Sequence, residues 1–414
     1  MSKLRVGLNV QLFPDGRSGG VEQFVMALVR ALAKLDGDEE YVIVANAPSA
    51  KWLAPYLLPN QRIVLIPTDK WDWLKQRINA LQHLTRNIMP YPRVDPHLAL
   101  PNSNGFYESL GVDVIHFPYQ VFVQSQVPFI YNPHDLQHLH YPHFFSHEEF
   151  AWREYTYRVG CQNACAIATP SQWVKDDVVI QYKIAPQNVF AIRYGPTTEW
   201  YDPVDNDVLY RVQHKFRLPF PFVLYPAQTW EHKNHIRLLE AIALLRDREH
   251  LLVKLVCTGR KNAFWPVIEK RLNSLGLNDR VRFLGYVSPT DLRALYHLAQ
   301  CVICPSLFEG GGLTILEAFH ENVPVACSNI TSLPEYAGDA ALVFDPFNVK
   351  SVADALQRLV TDADLRETLR ARGGARARFF NWELTAKTYR ALYRTVANRP
   401  LSQADRDLIE RGRR

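Results

Sequence analysis

No run of eighteen apolar residues occurs in this 414-residue chain, so no segment offers itself as a membrane-spanning helix. Nowhere do five Lys or Arg stand together. The net charge of +5, left by 47 basic and 42 acidic side chains, is too small and too scattered for a nucleic-acid surface. Such a weak excess suits anionic small molecules or an acidic membrane face. The opening MSKLRVGLNVQLF is too short an apolar run for a secretory leader and lacks a small-residue cleavage site. A cytoplasmic protein is expected, with peripheral contact at the inner face of a membrane left open. Six cysteines include one C-x-x-C pair, Cys301 and Cys304, inside the strand-like CVICP. A zinc ribbon needs a second pair, which is missing, so buried free thiols are expected. Also missing are G-x-G-x-x-G and H-E-x-x-H, which leaves a nicotinamide fingerprint and a zinc-protease helix unsupported.

What the chain has is alternation. Short β-branched runs lie at 5–10, 41–46, 62–67, 112–117, 128–132, 165–170 and 189–193, then at 222–227, 252–259, 281–285, 301–305, 323–328 and 341–345. Runs this short, apolar on both faces and separated by helical patterns, predict buried parallel strands. The crossover rule then gives α/β layers, two doubly wound Rossmann-like domains facing across a cleft. With 47% hydrophobic residues the chain can bury two cores. The boundaries expected are 1–200 for the first domain, 201–218 for a linker without periodic core pattern, and 219–380 for the second. The amphipathic segment 381–397 places Trp382, Leu384, Tyr389, Leu392 and Tyr393 on one face. Residues 398–414 read as a charged, peripheral tail.

Open parallel sheets bind ligands beyond the carboxyl ends of their strands, so the segments after each strand carry the chemistry. After the first strand, Gly19 and Gly20 open a helix whose free N–H groups suit an anion; a plain strand–helix turn is the alternative. After the fifth comes NPHDLQHLH, with His134 able to donate to a hydroxyl and adjacent Asp135 able to accept. His134 and His138 also have H-x3-H spacing, which keeps a metal pair in view, although Pro133 and Pro142 break helix continuity. Lys233 opens a helix, where a cation is disfavoured unless a bound phosphate reverses the sign.

The densest stretch is SLFEGGGLTILEAF, 306–319. Gly310, Gly311 and Gly312 let backbone approach a ligand, and the helix start at Leu313 and Thr314 presents N–H groups. Glu317 stands three residues after Thr314, as in a capping box. Glu309 has no such local explanation.

Glu309 and Glu317 make an E-x7-E pair. With Gly19-Gly20, His134-Asp135, Lys233-Asn234, Phe308-Glu309-Gly310, Leu316-Glu317-Ala318 and Ser332-Leu333-Pro334-Glu335 in order, the chain resembles the retaining glycosyltransferases of family 4, on the GT-B fold, over nearly its whole length. Similar are bacterial mannosyl- and glucosyltransferases of surface polysaccharide assembly. The resemblance implies transfer of a mannose- or glucose-type hexose from a GDP- or UDP-linked sugar to a hydroxyl. The acceptor would be a glycan or lipid-linked saccharide, and attack would come on the face the phosphate leaves, with no metal and no cofactor. It further implies that Glu317 accepts from ribose hydroxyls and that Glu309 and His134 contact the donor sugar. Asp135 would lie near the transfer point, the Gly310–Thr314 backbone would hold sugar and phosphate, and Lys233 would neutralise the leaving diphosphate. Family members often pair that lysine with an arginine a few residues earlier. Here Gln228, Thr229, Trp230, Glu231 and His232 precede it, so His232, Arg260 or Lys261 would substitute. Two D-x-D spacings, Asp205/Asp207 and Asp362/Asp364, read as solvated turns rather than metal sites. A nucleotide-sugar 2-epimerase and a non-catalytic sugar-nucleotide-binding protein are the competing readings. Segment 68–93, with two tryptophans and a basic excess, reads equally as an interfacial element on anionic lipid or as a surface helix.

Overall fold

A computed structural model describes residues 3–12, 19–67 and 102–413; segment 68–93 lies outside the described residues. The strands are β1 (Arg5–Val10), β2 (Glu40–Ala45), β3 (Gln61–Leu65), β4 (Val114–Phe117), β5 (Phe129–Tyr131), β6 (Ala166–Thr169) and β7 (Val189–Ala191). There follow β8 (Val223–Pro226), β9 (Leu255–Thr258), β10 (Val281–Phe283), β11 (Cys301–Cys304), β12 (Val325–Ser328) and β13 (Ala341–Phe344). They form two parallel sheets, in the orders β3-β2-β1-β4-β5-β6-β7 and β10-β9-β8-β11-β12-β13. Strands β4, β6, β9, β11 and β12 are buried along their full length, as short runs covered by helices on both faces must be.

Each sheet reverses its winding once, between β1 and β4 and between β8 and β11. At such a reversal the helices after the two strands leave on opposite faces and open a crevice. The segments after these four strands are the ones that carry Gly19, Tyr119, Gln228 and Glu309, so topology alone brings them to one place.

Two stretches differ from the sequence expectation. The linker contains a helix, Asn206–Lys215, whose N-cap Asp205 accepts from the Val208 amide at 2.9 Å and whose Val212 is buried in the second domain. Its periodicity is short and hidden among Pro, Asp and aromatics. The tail is no loose end either. Helix Gln403–Arg413 buries Ile409 in the first domain's core, and Asp405 receives Arg394 Nη1 at 2.9 Å. Asp405 and Ile409 anchor the helix, while Arg406, Asp407, Glu410 and Arg411 stay exposed, a division that composition alone does not reveal.

Helix Trp382–Val396 puts Trp382, Tyr389, Leu392 and Tyr393 into that same first core, beside Phe24 and Leu28 of helix Gly20–Ala33. The two crossings between the domains touch: Trp382 Nε1 donates to the Pro196 carbonyl at 3.0 Å, and Thr385 Oγ1 to that of Arg193 at 2.8 Å. Cys301 and Cys304 are buried free thiols on β11. Among the described residues no helix is long and apolar enough to cross a membrane.

Candidate active site

A cavity of about 1370 Å³ separates the two sheets and is lined by Gly19, Gly20, His134, Asp135, Lys233, Arg260, Glu309, Gly310, Gly311, Gly312, Leu313, Thr314 and Glu317. The structure thus brings these residues together from loops up to three hundred residues apart, whereas Lys261, offered as a substitute phosphate contact, lies off this wall with its ammonium 3.7 Å over the Trp265 ring.

The second-domain wall is built from β8 and β11. After β8 the chain makes a 3-10 turn, Glu231–Lys233, and Asn234 takes left-handed dihedrals with φ 59° before helix His235–Arg248. Asn234 Nδ2 donates to the carbonyls of Pro305, at 2.9 Å, and Pro346, at 3.0 Å. The Leu307 amide donates to His232 O at 2.7 Å. These bonds lash the lysine turn to the loop after β11, and Lys233 Nζ reaches Glu309 Oε1 at 2.5 Å. Ser306 Oγ donates to the same oxygen at 2.6 Å. Burial works against the Lys233 ammonium, but the Glu309 carboxylate beside it holds its pKa above the ordinary lysine value. Burial, and then Lys233, push His232 far below the usual imidazole range, so it adds no charge here. Arg260 lines the same wall with its guanidinium 5.9 Å over the Tyr286 ring. Its Nε is buried without a protein partner, a donor that a bound anion would satisfy.

Glu317 corrects the capping-box expectation. The helix runs Leu313–His320 with Gly312 as an uncapped N-cap, so Thr314 already lies inside it and Glu317 is a turn further on. Its carboxylate turns into the protein. Thr197 Oγ1 donates to Oε1 in a short hydrogen bond, and Tyr296 O–H donates to Oε2 at 2.7 Å. Burial raises the Glu317 pKa, against the pull of those two donors. Thr197 comes from the crossing segment 193–205, so this carboxylate is tied to the joint between the domains. Glu309, which no local motif accounted for, has Lys233 and Ser306.

The three glycines also differ in purpose from the expectation that they only clear space for a ligand. A Cβ on Gly310 would stand 2.5 Å from the His134 carbonyl oxygen, and one on Gly312 2.5 Å from the Tyr336 ring. Gly311 faces Pro170 and Tyr194 at 3.4 and 3.5 Å. At Gly310, and less tightly at Gly311, the missing Cβ therefore lets the second domain close on the first, while at Gly312 it makes room for Tyr336 of the same domain. Gly19, at φ 55°, and Gly20 complete the contact from the other side, against Gln228 and Leu313.

On the first domain His134 has φ 65°, a left-handed backbone that turns its ring inward. Nε2 lies 2.8 Å from the Pro118 carbonyl, an acceptor only, so Nε2 carries the proton. Nδ1 then accepts from Tyr194 O–H at 2.8 Å. Burial lowers the His134 pKa and keeps the ring neutral. Both nitrogens are engaged inside the protein, which the expected direct donation to a sugar did not foresee. Asp135 Oδ1 accepts from the Gln137 amide at 3.0 Å and its carboxylate lines the cavity. His138 pairs with Glu154 at 3.2 Å instead of joining His134, and among the described residues no group of three His, Cys, Asp or Glu is placed to hold a metal ion. Asp205 and Asp362 are solvent-exposed as expected, but as helix N-caps rather than in turns.

Thr197, Tyr194, Tyr296 and Ser306 were missed by sequence reasoning. Only Ser306, three residues before Glu309, was within reach of a local pattern.

Two facing Rossmann-like sheets with a shared cleft at their switch points define the GT-B fold. The chain matches the family models "Glycosyltransferase Family 4" over residues 18–200 and "Glycosyl transferases group 1" over 209–376. It belongs to the family 4 glycosyltransferases. It is 30% identical over 255 residues to the O-antigen chain mannosyltransferase B of Escherichia coli, covering 60% of this chain and 66% of that one. With the D-inositol 3-phosphate glycosyltransferase of Corynebacterium glutamicum (strain R) it shares 25% identity over 404 residues, 92% of this chain and 93% of the relative. The crystal structure of Anabaena HepE in complex with UDP and glucose superposes with a TM-score of 0.67 at 15% identity, over 95% of this chain and all of that one, a likeness of fold.

Proposed function

We propose that this glycosyltransferase moves a hexosyl group of mannose or glucose type from a GDP- or UDP-linked sugar to a hydroxyl of a glycan or lipid-linked saccharide, with retention at the anomeric carbon. The observation that carries the reading is the Lys233–Glu309 pair, held by two lashed loops on the cavity wall. A cation kept charged there, with Arg260 Nε unsatisfied nearby, suits a diphosphate whose negative charge grows as it leaves. The mannosyltransferase relative supports the mannose side of the choice.

In this reaction the bond between the sugar C1 and the phosphate oxygen breaks as the acceptor oxygen bonds C1 from the same face. The acceptor proton passes to the departing phosphate oxygen. Lys233 exchanges Glu309 for the diphosphate, which frees Glu309 to accept from a sugar hydroxyl. Glu317 accepts from the ribose. His134 meets the sugar by releasing Tyr194 or Pro118, and Asp135 flanks the transfer point. The lysine, Arg260 and the uncapped helix start at Gly312 neutralise the diphosphate without a metal.

Thermal shifts with GDP, UDP, GDP-mannose and UDP-glucose, followed by transfer assays in excess chelator and assignment of the product anomer, test this. Inversion, or loss of transfer in chelator that added Mg²⁺ restores, overturns the mechanism. Conversion of donor alone to its C2 epimer overturns the transferase reading.

A further inference from the structure

The mouth of the cleft is aromatic in a way the transfer chemistry leaves unused. Trp152 is 38% exposed and Trp230 44% exposed, one on each domain, and both line the cavity that holds Lys233 and Glu309. Phe144 and Phe145 of the first domain line it as well. Their rings are held in place. Phe144 stacks on Tyr141 at 4.9 Å and 4°, and Tyr141 O–H donates to the Leu307 carbonyl at 3.1 Å, two residues from Glu309. Arg153 sits 4.6 Å over the Phe145 ring.

Charge narrows the ligand. Among the described first-domain residues that line the cavity, Arg153 is the one Lys or Arg. Its guanidinium is committed to Glu149 Oε1, at 3.2 and 3.1 Å, and to Tyr157 O–H at 3.1 Å. A phosphorylated acceptor would need an uncommitted cation on this wall. The polar groups on this wall include the amides Gln11, Gln23, Gln120 and Gln137, and its charged neighbours Asp135 and Glu149 are carboxylates, which would repel a phosphate. Flat rings for C–H faces, with amides for hydroxyls, suit an uncharged pyranose chain.

Resting on the transferase reading above, we propose that Trp152, Phe144, Phe145 and the facing Trp230 form a stacking subsite for a neutral glycan acceptor several sugars long. It lies beyond the sugar that receives the transferred residue.

The test uses the full chain with GDP-mannose or UDP-glucose as donor. Acceptors are neutral manno- and gluco-oligosaccharides of one to four residues, the tetrasaccharide with an octyl aglycone, and inositol phosphate. KM should fall about tenfold from mono- to tetrasaccharide, the effect of about 1.4 kcal/mol of stacking. Trp152→Ala and Trp230→Ala should each remove most of that gain. Trp152→Phe should keep part of it, and the nucleotide-induced thermal shift should match wild type in all three. An acceptor KM independent of length, unchanged KM in both alanine variants, or preference for inositol phosphate overturns the proposal. So does a lower KM with the octyl aglycone, which would mean that the rings meet lipid. If neither donor binds nor turns over, the transferase reading falls instead, which the nucleotide shift registers separately.

Discussion

Lys233 Nζ and Glu309 Oε1 lie 2.5 Å apart although 76 residues separate them in the chain. Each satisfies the other, so neither charge is left bare in the cleft wall. Removing one partner strands the other in a partly buried place. Lys233→Ala and Glu309→Ala should each lower kcat by about 10²–10³-fold, as expected for loss of a group that stabilises a charge-developing transition state. The double variant should fall well short of the product of the two losses, with a coupling of about 1 kcal/mol or more in a kinetic double-mutant cycle. Strictly multiplicative losses would mean that the two act separately.

Gly310 has a different sensitivity. Its absent Cβ makes room for the His134 carbonyl, a backbone atom that cannot rotate away. Gly310→Ala should therefore push the glycine loop from the first domain, at a cost of about 1–3 kcal/mol. Urea titration should show a lower midpoint, and turnover should fall with it. An unchanged midpoint together with wild-type kcat would show that the loop tolerates the displacement.

Glu321 sets the acid limit. Burial opposes its charge, yet hydrogen bonds from His297 and His320 and the Arg293 guanidinium hold its pKa well below the usual carboxylate range. Arg293 Nε lies 3.1 Å away, His297 Nε2 2.7 Å and His320 Nδ1 2.9 Å. A carboxyl whose folded pKa is depressed contributes stability above its unfolded pKa and loses it as pH falls towards the folded one. Stability should thus decline below about pH 5, with Glu321 a main contributor. Glu321→Gln should cost about 3 kcal/mol near neutrality, through the Arg293 guanidinium left without its carboxylate, and should flatten that decline. Chemical denaturation at several pH values measures both.

Deleting residues 403–413 should destabilise the first domain. It uncovers the surface that Ile409 fills and leaves Arg394 without Asp405. Burial of one isoleucine contributes about 1.5–3 kcal/mol, so a loss of at least about 2 kcal/mol is expected. A melting temperature equal to wild type would return this helix to the status of an appendage.

The fold was legible because parallel strands covered on both faces must be short apolar runs, as at 301–305 and 323–328. The strand ends were overdrawn: 252–259 narrows to Leu255–Thr258, since an apolar run does not mark where pairing stops. Gly19, His134, Lys233, Arg260 and Glu309 reach the cleft because each follows the carboxyl end of a parallel strand, the edge at which both sheets face it. Their partners were not legible. Thr197 meets Glu317 across 120 residues, and Tyr194 meets His134 across 60. The capping box failed because the helix start depends on how Gly312 packs on Tyr336, a contact between distant segments. The same blindness hid the role of the glycines, whose neighbours belong largely to the other domain.

Helix Trp382–Val396 and Ile409 complete the core of the first domain from the far end of the chain. During synthesis, strands β1 to β7 emerge well before the residues that cover them, while the second domain has its whole sequence available earlier. The domain made first is therefore the last able to close, and until residues near 409 are free it carries the empty places of Trp382, Tyr389, Leu392 and Tyr393 on its surface.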